Sequence, residues 1–209
     1  MVISQLKNRV RFTGLTGGIA SGKSRAASFM AERFGLLFYS TDKIAHDLLV
    51  PGKEGWHLVR DINPDFINPD GTINKPLFRS VLFEDKELRK KVDAEIHPLV
   101  WEVLVKKVKS QLVSFEEIPV LVEVPLLYEA GWQGRFDEVI VVYTEKENCL
   151  DRLVKRDMVS GFQAEKELSV QLPLVDKCLL ADHVINNSGS WTRTLLGLLH
   201  LGKVLWPGS

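Results

Sequence analysis

The sequence contains little of what marks disulfide-bonded, zinc-binding or membrane-spanning proteins. It has only two cysteines, Cys149 and Cys178, without C-x-x-C spacing or a nearby series of histidines, so neither a disulfide framework nor a zinc site is expected. No apolar run approaches the roughly 20 residues of a membrane span, and Met1–Arg9 lacks the long apolar stretch of an export signal. We therefore expect a cytoplasmic protein whose cysteines serve as small hydrophobic side chains within helices.

An excess of charge of one sign is also missing. Lysine and arginine together number 27, as do aspartate and glutamate, and this balance argues against a protein that binds nucleic acid through bulk electrostatics. Hydrophobic residues make up 45% of the chain and charged residues 26%, as in ordinary globular domains. We expect a single domain over residues 10–209, acting as a monomer or small homo-oligomer without nucleic-acid or membrane partners.

What the chain does contain is a complete phosphate-binding loop. The pattern G-x-x-x-x-G-K-[ST] covers Gly17, Gly18, Ile19, Ala20, Ser21, Gly22, Lys23 and Ser24. Its glycines let the backbone curl so that N–H groups point at phosphate oxygens, beside the positive end of the following helix. Lys23 would contact the β- and γ-phosphates of ATP, and the Ser24 hydroxyl would bind Mg²⁺. A strand-like run before the loop and an amphipathic run after it provide the context that nucleotide binding requires.

Strand-like and helix-like runs alternate along the chain, which predicts an α/β fold with a parallel sheet and crossover helices. The first predicted strand ends near Leu15, the others cover residues 36–39, 120–124, 138–143 and 183–185, and helices are predicted over 24–34, 146–156 and 191–205. About 80 residues separate the second and third strands, more than one crossover helix needs. We assign residues 43–111 to a helical insertion with a helix break at Pro98, and residues 157–173 to a short helical lid.

Asp42 follows the second predicted strand, and its position is compatible with two roles. Ligands of open parallel sheets bind beyond the carboxyl ends of the strands, so a carboxylate here would lie near the phosphate loop and could accept the proton of an acceptor hydroxyl. Asp42 could equally cap a helix that begins near Lys43. The sequence position alone leaves both roles open.

Three further side chains have both a chemical and a structural explanation. Arg152 and Arg156 lie four residues apart on one predicted helix face and could neutralise charge on a transferred phosphoryl group. A solvated face, with pairing to Asp151 or Asp157, is the more ordinary explanation. Glu123 ends the third predicted strand, where many phosphate-loop proteins place the acid that holds the Mg²⁺ shell, or it is simply a strand-end carboxylate.

The insertion is locally basic and contains one histidine of interest. Basic side chains that could hold a phosphorylated substrate, or could be ordinary surface charges, are Lys75, Arg79, Arg89, Lys90 and Lys91. His97 precedes Pro98 beside an apolar stripe, where a histidine is more often a hydrogen-bonded structural residue than a catalyst. We therefore do not assign His97 as the general base.

Six stretches, in the same order along the chain, resemble motifs of the dephospho-coenzyme A kinases. They are residues 15–24 (LTGGIASGKS), 41–46 (TDKIAH), 50–52 (VPG), 96–100 (IHPLV), 124–129 (VPLLYE) and 181–187 (ADHVINN), and they cover nearly the whole chain. The resemblance implies ATP-dependent phosphorylation of the ribose 3′-hydroxyl of dephospho-coenzyme A, with Mg²⁺ as the cation. It also implies a three-layer phosphate-loop (P-loop) NTPase fold with a five-stranded parallel sheet, a helical substrate-binding insertion and a lid.

The same resemblance assigns roles to individual residues. Asp42 becomes the expected base, and Lys23 and Arg152 become catalytic residues on the nucleotide side. The insertion is expected to bind the coenzyme A moiety, with substrate contacts from Asp42, His46, Arg79 and His97.

The chain departs from the family pattern at several positions. Ser40 stands where the family often has an aspartate, Arg25 where threonine is usual, and His46 where arginine is usual. The lid stretch 165–171 lacks an arginine that the family often has there. These departures affect two expectations, namely the substrate contact of His46 and the contribution of the lid to catalysis.

Two alternative functions stay open at this point. A kinase of nucleosides or nucleotides would use the same loop on another acceptor. A nucleotide-dependent switch would hydrolyse ATP slowly and form no phosphorylated small molecule. The long insertion at the acceptor position favours a kinase, because a switch needs no such pocket.

Overall fold

The computed structural model describes residues 10–112 and 118–208. Met1–Arg9, for which no export signal is expected, lies outside the described residues, as do residues 113–117 and Ser209. Contacts divide the chain into two compact units. We call Met1–Tyr39 with Leu112–Ser209 the sheet unit, and Ser40–Gln111 the inserted unit.

The sheet consists of five strands with β1 at its centre. The strands are β1 (Val10–Gly17), β2 (Leu37–Ser40), β3 (Ile118–Glu123), β4 (Glu138–Tyr143) and β5 (His183–Asn186), in the order β2-β3-β1-β4-β5. β1 pairs in parallel with β3 and β4, and β4 pairs in parallel with β5. Val120–Val122 and Ile140–Val142 are fully buried, as expected of parallel strands covered on both faces. The predicted α/β class with a five-stranded parallel sheet is confirmed.

The helices, in chain order, are α1 (Lys23–Phe34), α2 (Thr41–Leu48), α3 (Glu54–Ile62), α4 (Lys75–Glu84), α5 (Lys86–Ser110), α6 (Lys146–Asp157), α7 (Gly161–Ser169), α8 (Leu174–Leu179) and α9 (Trp191–Leu205). α1 contacts β1, β3 and β4 and packs on α9, whereas α8 contacts β4. α1 forms because Ala26, Met30 and Phe34 recur every four residues and put one apolar face against the sheet. Gly35, with φ of 60°, ends it in the left-handed conformation.

Gly202 allows α9 to approach α1 closely. A Cβ built on Gly202 would lie 2.0 Å from Cε2 of Phe34, whereas one built on Gly197 of the same helix would lie 3.6 Å from Cδ1 of Ile185. We predict that Gly202→Ala lowers the free energy of unfolding by about 1–3 kcal/mol, because the buried ring of Phe34 cannot move aside. Gly197→Ala should leave it unchanged or raise it by up to about 1 kcal/mol. Chemical denaturation of both variants measures this difference, and equal stabilities would contradict it.

In the inserted unit, α5 is one continuous helix of 25 residues with Pro98 inside it, so the predicted break at Pro98 is wrong. A proline in a helix interior costs about 3 kcal/mol. Ile96, Val100 and Leu104 are buried on one face across the proline, and each buried aliphatic side chain contributes about 1.5–3 kcal/mol. Only a continuous helix keeps these side chains in line, and their burial outweighs the cost of the proline.

The start of α2 removes one of the two roles considered for Asp42. The helix begins at Thr41 with Ser40 at its N-cap position, so Asp42 does not cap a helix that begins near Lys43. Asp42 lies instead in the first turn of α2, directly after β2. A carboxylate in a first helical turn interacts favourably with the helix dipole.

Candidate active site

The phosphate loop joins β1 to α1 and is held through its carbonyl groups by side chains that follow β4 and β5. Asn187 Nδ2 donates to the Ser21 carbonyl at 2.8 Å, and Thr144 Oγ1 donates to the same oxygen at 2.9 Å. In a trans peptide the C=O and the next N–H point in opposite directions. The two contacts therefore turn the Gly22 N–H away from β4 and β5, and this orientation of loop amides is the one that binds anions.

Two glycines of the loop are required by the space around them. Gly22 has φ of +89°, and a Cβ built on it would lie 2.3 Å from Asn187 Nδ2. A Cβ on Gly17 would lie 2.7 Å from the Val142 carbonyl. Ala20 has φ of 58° although it is not glycine, and such left-handed backbone in a non-glycine residue is often found at functional sites. The loop backbone is thus fixed by close packing against β4 and Asn187.

The two polar side chains at the start of α1 lie beside the loop and β3. Lys23 Nζ donates to the Gly18 carbonyl at 3.3 Å. The Ser24 hydroxyl donates to Glu123 Oε1 at 2.5 Å, and Glu123 is only 6% exposed at the end of β3. A hydroxyl and a carboxylate together form an all-oxygen donor set of the kind that Mg²⁺ prefers. The sequence position of Glu123 had pointed to this arrangement, and the structure brings the two side chains together.

No group of three or more histidine, cysteine, aspartate or glutamate side chains that could hold a metal ion occurs in the part of the chain that the structure describes. A cation at Ser24 and Glu123 would therefore take most of its ligands from nucleotide phosphates and water. Mg²⁺ is usually bound in this way, by one or two protein ligands together with phosphates. The residues present fit a nucleotide-bound Mg²⁺.

Arg152 and Arg156 have different surroundings although they share α6. Arg152 reaches the loop: its NH1 lies 3.4 Å from the Ala20 carbonyl, and its NH2 donates to the Asn187 carbonyl at 2.9 Å. Arg156 pairs with its neighbour Asp157 at 2.7 Å. The hydrogen bond from Arg156 lowers the pKa of the Asp157 carboxyl. Arg152 thus supports the loop, whereas the ordinary ion-pair explanation fits Arg156.

In the inserted unit the structure brings together two of the basic side chains. Lys75 Nζ lies 2.9 Å from His46 Nε2, and Arg79 follows Lys75 by one turn on α4. His97 lies 3.9 Å from Asp93 within α5. The substrate contacts of Asp42, His46, Arg79 and His97 stay predictions. Lys75 beside His46, with Arg79 one turn further along α4, supplies positive charge that suits a phosphorylated ligand.

The two cysteines take no part in this chemistry. Cys149 is buried in α6 and Cys178 is partly buried in α8. Burial raises the pKa of the Cys149 thiol, and burial likewise raises the pKa of Cys178. Because a raised pKa keeps a thiol protonated at neutral pH, neither side chain is an activated nucleophile. The expectation of a small hydrophobic role is confirmed for Cys149 and only partly met by Cys178.

Sequence reasoning missed most residues that hold the loop in place. Thr144 and Asn187 were not singled out as site residues, although both follow strands at the carboxyl edge of the sheet, where ligands bind. Gln171 also contacts the loop: its Oε1 accepts a hydrogen bond from the Ile19 N–H at 3.1 Å. The general rule that strand ends carry functional polar residues could have indicated Thr144 and Asn187, and Asn187 also ends the family-like stretch 181–187. No signal indicated Gln171.

Comparisons with known proteins agree on one family. The model of the dephospho-CoA kinase family matches residues 11–193. A dephospho-CoA kinase of Symbiobacterium thermophilum is 36% identical over 186 residues, which cover 88% of this chain and 77% of that relative. The structure of a dephospho-CoA kinase from Campylobacter jejuni aligns with a TM-score of 0.68 and 26% identity over 95% of this chain and 98% of that one.

A more distant structure shares the fold alone. Shikimate kinase from Acinetobacter baumannii aligns with a TM-score of 0.54 and 18% identity, over 97% of this chain and 96% of that one. The predicted P-loop kinase fold is confirmed by these likenesses. None of the helices within residues 10–112 and 118–208 is both long enough and apolar enough to cross a bilayer.

Proposed function

We propose, since this chain belongs to the dephospho-coenzyme A kinase family, that it transfers the γ-phosphate of ATP to the ribose 3′-hydroxyl of dephospho-coenzyme A. The products are coenzyme A and ADP, and the reaction is the last step of coenzyme A synthesis. The observation that carries this proposal is the phosphate loop, whose carbonyl groups are held by Asn187, Thr144 and Arg152. Backbone groups that are held in place before the ligand arrives favour the binding of a triphosphate.

On the nucleotide side we assign charge stabilisation to Lys23 and Arg152. Lys23 begins α1, so its ammonium group lies where the helix dipole also favours negative charge. Arg152 contacts the loop at the Ala20 carbonyl and would add a positive charge close to the bound phosphates. Phosphoryl transfer depends mainly on such positioning and electrostatic stabilisation, because the protein does little covalent chemistry itself.

On the acceptor side we propose that Asp42 orients the ribose hydroxyl and accepts its proton. The supporting observation is its place in the first turn of α2, after the carboxyl end of β2. We further propose that the inserted unit, which includes the predicted insertion 43–111, binds the coenzyme A moiety. His46, Lys75 and Arg79 would hold its phosphate groups, and residues 157–173, which contain α7, would act as the lid that limits ATP hydrolysis by water.

The Ser24–Glu123 contact supports Mg²⁺ as the cation. When bound, the ion neutralises charge on the β- and γ-phosphates. We predict that Glu123→Gln raises the Mg²⁺ concentration needed for half-maximal activity by about tenfold, because the buried carboxylate no longer offers a negative charge. The measurement is a magnesium titration of the initial rate. Glu138→Gln, a carboxylate that instead pairs with Arg11 and His183, is the control and should show the wild-type dependence.

One experiment tests the proposed reaction directly. The purified protein is incubated with Mg·ATP and dephospho-coenzyme A, and the products are examined by mass spectrometry. We expect a product heavier by one phosphate, with phosphorus attached to the ribose 3′-oxygen. Phosphorylation of nucleosides instead would favour a nucleoside kinase, and ATP hydrolysis with no phosphorylated product would favour a nucleotide-dependent switch.

We propose a cytoplasmic enzyme that meets only small molecules and works as a monomer or small homo-oligomer. The equal numbers of basic and acidic residues, 27 of each, support a protein without bulk attraction to nucleic acid. Analytical ultracentrifugation at assay concentration measures the oligomeric state.

A further inference from the structure

Lys177 in α8 is a fully buried lysine outside the machinery described so far. Its side chain is 0% exposed, and its Nζ lies 2.8 Å from Glu129 Oε1 and donates to the Pro125 carbonyl at 3.2 Å. Removing the lysine charge from water costs about as much as its attraction to a carboxylate returns, so a hydrophobic side chain at such a place is often equally stable. Stability alone therefore does not account for a lysine here.

The Lys177–Glu129 pair joins three parts of the sheet unit at one point. Glu129 Oε1 also accepts a hydrogen bond from the Leu172 N–H at 2.9 Å, in the connection between α7 and α8. The Pro125 carbonyl also accepts one from Thr16 Oγ1 at 3.2 Å, one residue before the phosphate loop. Lys177 thus ties the end of the lid and the turn after β3 to the end of β1.

The residue next to this junction contacts the phosphate loop. Gln171 Oε1 accepts a hydrogen bond from the Ile19 N–H at 3.1 Å. An N–H donor fixes the orientation of the amide, with the oxygen towards Ile19 and the NH₂ group on the other side. Within the described residues, this NH₂ group donates to no protein atom. Gln171 and Gly18 also line one cavity of about 510 Å³.

We propose that Gln171 donates a hydrogen bond to the terminal phosphate of bound ATP, and that the Lys177–Glu129 ion pair positions it. Three observations carry this proposal. The amide oxygen of Gln171 is held by a loop N–H, and its amide nitrogen keeps two donors beside the same loop. The neighbouring Leu172 is anchored by Glu129, which pairs with the buried Lys177. A neutral donor fixed before the nucleotide arrives stabilises developing charge without reorganisation. The proposal rests on the kinase function argued above.

The direct test separates the two hydrogen-bonding roles of the amide. Gln171→Glu keeps an oxygen acceptor for the Ile19 N–H but removes the donors, whereas Gln171→Ala removes both. We expect Gln171→Ala to lower kcat about tenfold with a change in the KM for ATP below about threefold, and Gln171→Glu to lower kcat further through charge repulsion. The exposed Gln133, changed to alanine, is the matched control and should behave as the wild type.

Two results would overturn the donor role. If Gln171 only covered the Ile19 amide until ATP displaced it, Gln171→Ala would lower the KM for ATP and leave kcat unchanged. If Gln171 only braced the loop and its amide nitrogen lay away from the terminal phosphate, Gln171→Glu would retain wild-type kcat, because it keeps the acceptor for the Ile19 N–H and has no phosphate near enough to repel. Both results are judged against the turnover of dephospho-coenzyme A by the wild-type protein. A wild type without turnover refutes the proposed function. A wild type with normal turnover, together with unaffected variants, refutes only the role of Gln171.

The positioning role of Lys177 is tested by coupling between the two residues. Lys177→Met should lower kcat about as much as Gln171→Ala, and the double variant should be no worse than either single variant, because the lysine acts through the glutamine. Lys177→Arg keeps the cation and should recover part of the loss. Multiplicative losses in the double variant would show that Lys177 acts independently of Gln171 and would overturn the positioning role. Thermal denaturation identifies a Lys177 variant that has lost its fold. In that case Glu129→Gln, whose side chain is partly exposed, replaces the Lys177 variant in the comparison of single and double variants.

Discussion

Replacement of Asp42 by asparagine is expected to leave ATP binding intact and to remove most of the phosphoryl transfer. The side chain keeps its size and its place in the first turn of α2 but loses the ability to accept a proton. General-base catalysis contributes about 10²- to 10⁴-fold to rates, so we expect kcat to fall within that range. Because Asp42 is not part of the phosphate loop, the affinity for Mg·ATP should stay within about threefold of wild type.

The matched control for this variant is Asp47→Asn. Asp47 is an exposed aspartate in the same helix, so its replacement changes the charge of the chain and of α2 by the same amount. The measurements are kcat with saturating dephospho-coenzyme A and the dissociation constant for Mg·ATP by calorimetry. A wild-type kcat in Asp42→Asn would refute the assignment of the base, and equal losses in both variants would point to net charge instead of proton transfer.

The pH dependence of kcat offers a second measurement on the same residue. A carboxylate that accepts the hydroxyl proton must be ionised, so wild-type kcat should fall as the pH drops through the pKa of that carboxyl in the enzyme–substrate complex. In Asp42→Asn the residual activity should lack this acidic limb. A limb of the same shape in the variant would mean that another group is responsible for it.

Parts of the fold were predictable from the sequence because local pattern and tertiary structure agree there. β4 was predicted over the residues that it occupies, since a Val/Ile run of that length has few alternatives in a parallel sheet. α9 likewise spans the predicted residues 191–205. The phosphate loop was predictable from the sequence because its function requires glycines at fixed positions. Gly22 shows the reason, since its φ of +89° and its close approach to Asn187 exclude a side chain.

Other parts depended on contacts that no local pattern reveals. The sequence predicts a helix break at Pro98, but burial on one face of α5 outweighs the local preference of proline. Lys177 looks in the sequence like any surface lysine, and only the folded chain shows that Glu129 meets it at 2.8 Å. The partners of these residues are distant in sequence, so no motif of one short stretch could contain them. The candidate site was therefore predictable at the loop itself and unpredictable in its supporting residues.

The second large effect is expected from Gly22→Ala in the phosphate loop. A left-handed backbone costs a residue with a Cβ roughly 1–2 kcal/mol. The new methyl group would also lie 2.3 Å from Asn187 Nδ2 and displace the side chain that donates to the Ser21 carbonyl, and loss of such a buried hydrogen bond costs about 1–3 kcal/mol. Either the loop or Asn187 must shift, and both shifts disturb the amide orientation on which phosphate binding depends.

Gly18→Ala supplies the comparison within the same loop. A Cβ on Gly18 would make an ordinary contact of 3.5 Å with Leu174 Cδ2, and Gly18 has no positive φ. We therefore expect the affinity for Mg·ATP to fall about 100-fold in Gly22→Ala, since every 1.4 kcal/mol is a factor of about ten, and to change less than about threefold in Gly18→Ala. Calorimetric titration of both variants with a non-hydrolysable ATP analogue measures the difference. Equal affinities would mean that the loop tolerates a side chain next to Asn187, and the close fit seen around Gly22 would then have no part in nucleotide binding.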